Sequence, residues 1–167
     1  MSDLDDIQAS LASFTQRFDE STDACFAELR KSSFFDPIPS EWLLPISKYA
    51  RIRSIAAGEY LTDEGDNLSS FYVILFGITT VYVNEKIVGT IVGGECIGEG
   101  TFFASSHFLR TASVVADGDL LVAEINKEGI NALLADEKLM TYMNKALLLA
   151  LFKKLQGANR RIQDLME

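Results

Sequence analysis

The sequence predicts a mainly β protein with flanking helices: an antiparallel β-barrel of the jelly-roll (double-stranded β-helix) kind, with helices before it and a long helix after it. Three observations predict this. Apolar residues recur at alternating spacings of three and four near both ends, at Leu4, Ile7, Leu11, Phe14 and Phe18 and again at Leu148, Leu151, Leu155, Ala158, Ile162 and Leu165. That period marks one face of a helix. The middle of the chain changes character, with short runs rich in Val, Ile, Tyr and Phe at 71–76, 78–83, 87–92, 112–116 and 120–125. Glycines separate these runs, and short runs punctuated by turn signals belong to antiparallel sandwiches and barrels.

Each element has its own signals. A first helix spans about 3–31, with Asp3, Asp5 and Asp6 in its first turn and Arg30 and Lys31 in its last, the charge order that suits the helix dipole. Pro37, Pro39 and Pro45 then punctuate the chain, and Ser40 reads as an N-cap opening a short helix. Asn84-Glu85-Lys86 reads as a hairpin connection. Residues 127–134 form a short helix, and a longer one begins at about Glu137. The expected division is an N-terminal amphipathic helix at 1–32, a barrel at 33–135 and a dimerisation or lid helix at 136–167.

Composition bounds the function. The 167 residues allow one domain with a proper core. A formal charge of −9 opposes a nucleic-acid surface, which needs excess Lys and Arg. It leaves room for a small anion, because one buried arginine can dominate a pocket. Cys25 and Cys96 have no CxxC spacing and no neighbouring His, so reduced thiols in a cytoplasmic protein are expected. The acidic N-terminus lacks the basic start of a signal peptide, and the longest apolar run, 146–152, is too short to span a bilayer. The single histidine, His107, has no partner evident in sequence, and there is no P-loop or metal motif. No enzyme activity, cofactor or metal is expected.

The most informative stretch runs from Gly94 to Ala116. Gly98 and Gly100 let the backbone pass close to a ligand, and a short helical turn after them would aim N–H groups at an anion. Arg110 offers a planar, always-charged fork suited to a phosphate. Glu99, acceptor-only when ionised, suits a sugar hydroxyl. Together they could grip a ribose and its phosphate. The same residues could instead form a plain salt bridge at a barrel mouth.

The stretch Ile97-Gly98-Glu99 followed by Arg110-Thr111-Ala112-Ser113-Val114 resembles the phosphate-binding cassette of the cyclic-nucleotide-binding family, F-G-E-L-A-L … R-x-A-[ST]-V. That family includes bacterial catabolite activators, protein kinase A regulatory subunits and cyclic-nucleotide-gated channels. Ile38-Pro39-Ser40-Glu41-Trp42-Leu43, the turns at Gly58 and Gly65, the run 71–76 with Gly77, and Leu121-Val122-Ala123-Glu124-Ile125 extend the similarity over about 33–165. The resemblance implies that Arg110 pairs with the cyclic phosphate and Glu99 accepts from the ribose 2′-hydroxyl. Backbone N–H groups near Gly100 and Thr101 would meet the phosphate, and Thr111 or Ser113, flanking Ala112, would donate to phosphate or base. Asn159, with Gln156 second, matches the polar residues that reach the purine from the central helix of the catabolite activators. Gly100-Thr101-Phe102 departs from the usual L-A-L, the loop 104–109 is slightly long, and Arg-Thr in place of Arg-Ala leaves cAMP against cGMP open.

The expectation is therefore a cAMP- or cGMP-binding regulatory domain that couples its ligand to movement of the C-terminal helix and acts on a partner protein. The seam from Leu148 to Leu165 predicts a parallel homodimer, against a fold-back onto the barrel or the N-terminal helix. The second class is a degenerate member of the fold that binds no nucleotide and serves as an interaction or dimerisation module.

Overall fold

The computed structural model describes residues 22–103 and 109–166. Of the predicted first helix, 22–31 is helical as α1 (Thr22–Lys31). The stripe Leu4 to Phe18 and the histidine at 107 lie outside the described residues. A 3-10 turn at Ser33–Phe35 leads to α2 (Ser40–Ser47). Pro39, not Ser40, is the residue before the first turn, and no side chain caps it. Arg30 ties the turn to α1 by donating from Nη1 to the Ile38 carbonyl at 2.7 Å and from Nη2 to the Phe35 carbonyl at 2.9 Å.

Eight strands follow among the described residues: β1 (Arg51–Ile55), β2 (Tyr60–Thr62), β3 (Ser70–Phe76), β4 (Ile78–Val83), β5 (Lys86–Val92), β6 (Cys96–Ile97), β7 (Ser113–Ala116) and β8 (Leu120–Asn126). A one-turn helix, α3 (Gly100–Phe103), lies between β6 and β7, and α4 (Lys127–Leu134) and α5 (Glu137–Met166) complete the chain. All strand pairings are antiparallel, in two four-stranded sheets ordered β1-β8-β3-β6 and β2-β7-β4-β5. The expected barrel is thus two facing sheets and not a closed cylinder. The chain changes sheet at Gly77, and two of the four terminal strands, β2 and β6, are only three and two residues long.

Period-two alternation builds both cores. On β3, Phe71 and Val73 face a cluster shared with the helices, while Tyr72 and Ile74 face the space between the sheets. On β8, Leu121, Ala123 and Ile125 join the first cluster, and Leu120 and Val122 the second. Being covered on both faces explains why β3 and β8 read as nearly continuous apolar runs. The β4–β5 hairpin turns on Asn84 and Glu85 alone, both at positive φ (48° and 62°), as a two-residue primed turn requires. Lys86 already belongs to β5.

Asn126 caps α4 by accepting from the Gly129 N–H at 2.9 Å. Asp136 does the same for α5, accepting from the N–H groups of Lys138 and Leu139 at 3.0 Å each. The first half of α5 buries Leu139, Met140, Met143, Ala146 and Leu147, and Tyr142 stacks on Trp42 of α2 with ring centroids 5.0 Å apart. The second half runs across the open side of the sheets. Among the described residues no helix is long and apolar enough to cross a membrane.

Candidate functional site

Two segments converge beside the inter-sheet core. Gly98 stands at φ +82° between β6 and α3, a conformation that glycine adopts without strain. A β-carbon there would collide with Arg110 Nη1 and with the Ser70 carbonyl, so glycine is also what lets the arginine lie against the backbone. The turn closes when the Thr101 and Phe102 N–H groups donate to the Gly98 and Glu99 carbonyls at 3.0 and 3.1 Å. Phe102 pins it to the core, edge-on to Phe71 at 5.2 Å.

Arg110 is fixed from both sides. Its backbone N–H donates to the Asp66 carbonyl at 2.7 Å, and its own carbonyl accepts from the Gly65 N–H at 2.9 Å. Its Nη2 donates to the Ser70 carbonyl at 2.6 Å. Its Nη1 is buried with no hydrogen-bond partner among the described residues. The residue is 7% exposed, and burial pushes its pKa down, opposed by Tyr72, Asp66 and Glu99. An orphaned donor on a buried cation is costly, and it is the arrangement an anion would relieve.

Arg110 and Glu99 line one cavity of about 600 Å³, within the usual range for small-molecule sites. Leu68, Val81, Ile91 and Val114 give it apolar walls. Gly98, Gly100, Thr111 and Ala112 line it as well. Glu99 does not meet Arg110 in a salt bridge. It accepts from Lys154 Nζ of α5 at 2.6 Å, and the same ammonium donates to the Cys96 carbonyl at 2.7 Å.

Three expected ligand contacts fall elsewhere. Thr101 is buried, and both its hydroxyl and its N–H donate to the Gly98 carbonyl, at 2.6 and 3.0 Å. Ser113 donates to Asp63 Oδ1 at 3.0 Å and accepts from the Glu64 N–H at 2.9 Å, so its hydroxyl is spent on the neighbouring turn. Asn159 is exposed and is not among the residues lining the cavity; Gln156 is likewise exposed. At 3.6 residues per turn, Lys153, Lys154, Gly157 and Arg161 fall within roughly a quarter of the helix circumference, and Asn159 points away from them. Those four are the α5 residues that line the cavity. Gly89 is a sequence signal for this face, because a glycine inside a strand marks a close approach. The Arg161 guanidinium lies 2.9 Å from where a β-carbon at 89 would stand.

Comparison with known proteins agrees with this geometry. Residues 52–137, just over half of the chain, match the family model described as the cyclic nucleotide-binding domain. A cGMP-dependent protein kinase of Plasmodium berghei (strain Anka) is 26% identical over 94 residues, which cover 56% of this chain and 11% of that protein. The chain therefore spans a small part of that relative's length. A cyclic nucleotide-binding domain from Methylobacillus flagellatus kt has a similar structure, with a TM-score of 0.72 at 22% identity over 83% of each chain. The regulatory subunit of a cAMP-independent protein kinase A from Trypanosoma brucei gives a TM-score of 0.66 at 19% identity, over 87% of this chain and 50% of that one. The sheet order, the Gly98–Arg110 cassette and the match over 52–137 lead to one conclusion: this chain belongs to the cyclic-nucleotide-binding domain family.

Proposed function

We propose that the chain is a regulatory sensor in which a cyclic nucleotide, its phosphate on Arg110 and its ribose on Glu99, changes how the second half of α5 packs over the cavity. The observation that carries this reading is the buried, unpartnered Nη1 of Arg110 in a preformed cavity. A charge-assisted hydrogen bond contributes roughly 1.5–3 kcal/mol. Swinging a two-state equilibrium from 1:99 to 99:1 takes about 5.5 kcal/mol of differential binding, so a few contacts made in one state suffice.

Lys154 supplies the coupling. It holds the acceptor that a ribose hydroxyl needs, so a ligand must share Glu99 with Lys154 or displace it, and α5 registers the change. The exposed apolar residues Leu148, Leu155, Ile162 and Leu165 support α5 as the contact of a homodimer, through which a partner protein is regulated. Light scattering across a concentration series tests this, and a strict monomer would remove the dimer.

Calorimetry with cAMP and cGMP on the wild-type chain and on Arg110→Ala tests the sensor. Binding that weakens by about tenfold or more in the variant supports it; undiminished binding takes Arg110 out of the mechanism. One observation favours the second reading, a non-binding interaction module: Glu99 is already paired with Lys154 through Oε1. A wild-type chain that gives no heat with either nucleotide would establish that reading instead.

A further inference from the structure

The cavity is charge-unbalanced in a way that a single phosphate does not use. In a chain of formal charge −9, four cations line it, Arg110, Lys153, Lys154 and Arg161, against Glu95 and Glu99. Lys154 and Glu99 neutralise each other. Glu95 accepts from the Val92 N–H at 2.8 Å. Among the described residues Arg110, Lys153 and Arg161 make no ion pair, and the segment 104–108 contains no carboxylate. One cyclic phosphate carries one negative charge and answers Arg110. Among the described residues two cations on the α5 side remain.

Arg161 is placed there by both elements it joins. It shares the cavity face of α5 with Lys153 and Gly157. Opposite it, β5 carries Gly89 in place of a side chain, and the guanidinium occupies the space that a β-carbon would need. A glycine inside a strand weakens it, so this approach has a cost in β5. The cavity thus has two positive poles, Arg110 within the fold and Arg161 with Lys153 on the helix that covers it.

We propose that this cavity prefers nucleotides carrying two separated anionic groups, as in a cyclic dinucleotide, over cyclic mononucleotides, with one phosphate on Arg110 and the second on Arg161 and Lys153. This rests on the sensor reading and narrows its ligand. The second pole faces solvent, so its contribution is of the screened kind.

The test is calorimetry on the full chain with cAMP, cGMP, cyclic di-AMP and cyclic di-GMP, at low and high salt, for the wild type, Arg161→Gln and the Arg161→Gln/Lys153→Gln pair. The expected result is a two-phosphate ligand bound about tenfold more tightly than either mononucleotide. That advantage, read as the ratio of dinucleotide to mononucleotide affinity within each variant, shrinks with salt and disappears in the variants. Mononucleotides bound as tightly as the dinucleotides, or an advantage that survives the double substitution, would overturn the proposal and leave the sensor reading standing. A wild-type chain that binds none of the four overturns both.

Discussion

From Glu137 to about Ala150, α5 is fastened by apolar contact: Leu139, Met143, Ala146 and Leu147 are nearly inaccessible and pack with Cys25, Leu29 and Phe71. Beyond Leu151 the same helix leaves Phe152, Leu155, Ile162 and Leu165 exposed. There it meets the rest of the fold through Lys154 on Glu99 and the Cys96 carbonyl, and through Arg161 over Gly89. The two attachments differ in kind. Apolar burial is non-directional and has no competitor among small polar ligands. Charged hydrogen bonds can be exchanged one for one with groups on a ligand. A single continuous helix can therefore be anchored at one end and responsive at the other.

The largest expected effect breaks the anchored half. Leu147→Ala should cost about 2–5 kcal/mol by loss of burial and a residual cavity, read from urea denaturation. A loss well under ~1 kcal/mol would mean that the first half is not the anchor.

Gly98→Ala should come next. A β-carbon at positive φ costs roughly 1–2 kcal/mol, and it must also move Arg110 Nη1. Stability should fall by at least that amount, because the Ser70 carbonyl also stands in the way, while nucleotide binding, followed by calorimetry, falls further. Equal affinity in the variant would show that the position of Arg110 is unimportant.

The two thiols share the apolar cluster of the anchored half, and Cys96 alone also feels Lys154 of the other half. Burial pushes Cys25 up to about 11, with help from Glu28, and pushes Cys96 up to about 12 against the pull of Lys154. Both values lie above the ordinary 9.0. The folded state therefore favours the protonated thiols, so their contribution is intact below about pH 9 and is lost as pH rises toward the folded values. The denaturation midpoint should decline above about pH 9, and the decline should be shallower in Cys96→Ala. At neutral pH both thiols should label slowly. Lys154→Ala removes the charge that opposes burial at Cys96, so labelling there should slow further while Cys25 is unchanged, and an equal change at both would dissolve the distinction.

The smallest effect belongs to the exposed seam. Leu155→Ala should change monomer stability by within about 0.5 kcal/mol. Its consequence should appear in the concentration dependence of light scattering, if α5 pairs with a second copy.

The apolar runs that form β3 and β8 are legible in the sequence because they are covered on both faces, whereas β4, β5 and β7 are legible by their β-branched composition between turn signals, although β5 is largely exposed. β1 is not legible: Arg51-Ile52-Arg53-Ser54-Ile55 buries only Ile52 and Ile55, too few for an alternation to declare itself. The short helix 127–134 and the start of the last helix at Glu137 are equally readable. In the site, Gly98, Glu99 and Arg110 belong to one local motif, and sequence reading finds them together. Lys154 and Arg161 lie more than forty residues further on, and only the crossing of α5 over the cavity brings them in. Their helical period marks a polar face and does not say what that face covers. Asn159, expected at the ligand, stands on the exposed side of α5 and outside the cavity lining for the same reason. Rotation about α5 is set by the burial of Met143 and Leu147 half a helix away, and that burial turns Lys154 and Arg161 toward the cavity in place of Asn159.

The crossing of Arg161 over Gly89 has a cost beyond signalling. Strand β5 is the last in its sheet and carries Ile87 and Val88 largely uncovered. A terminal strand with apolar side chains is a template on which another chain can add itself by main-chain hydrogen bonds. The arginine and the helix turn that bears it stand guard over this border. Were the second half of α5 to lift as proposed, the guard would be withdrawn, and the movement that transmits a signal would also set how long a sticky margin of the molecule stays open to its neighbours.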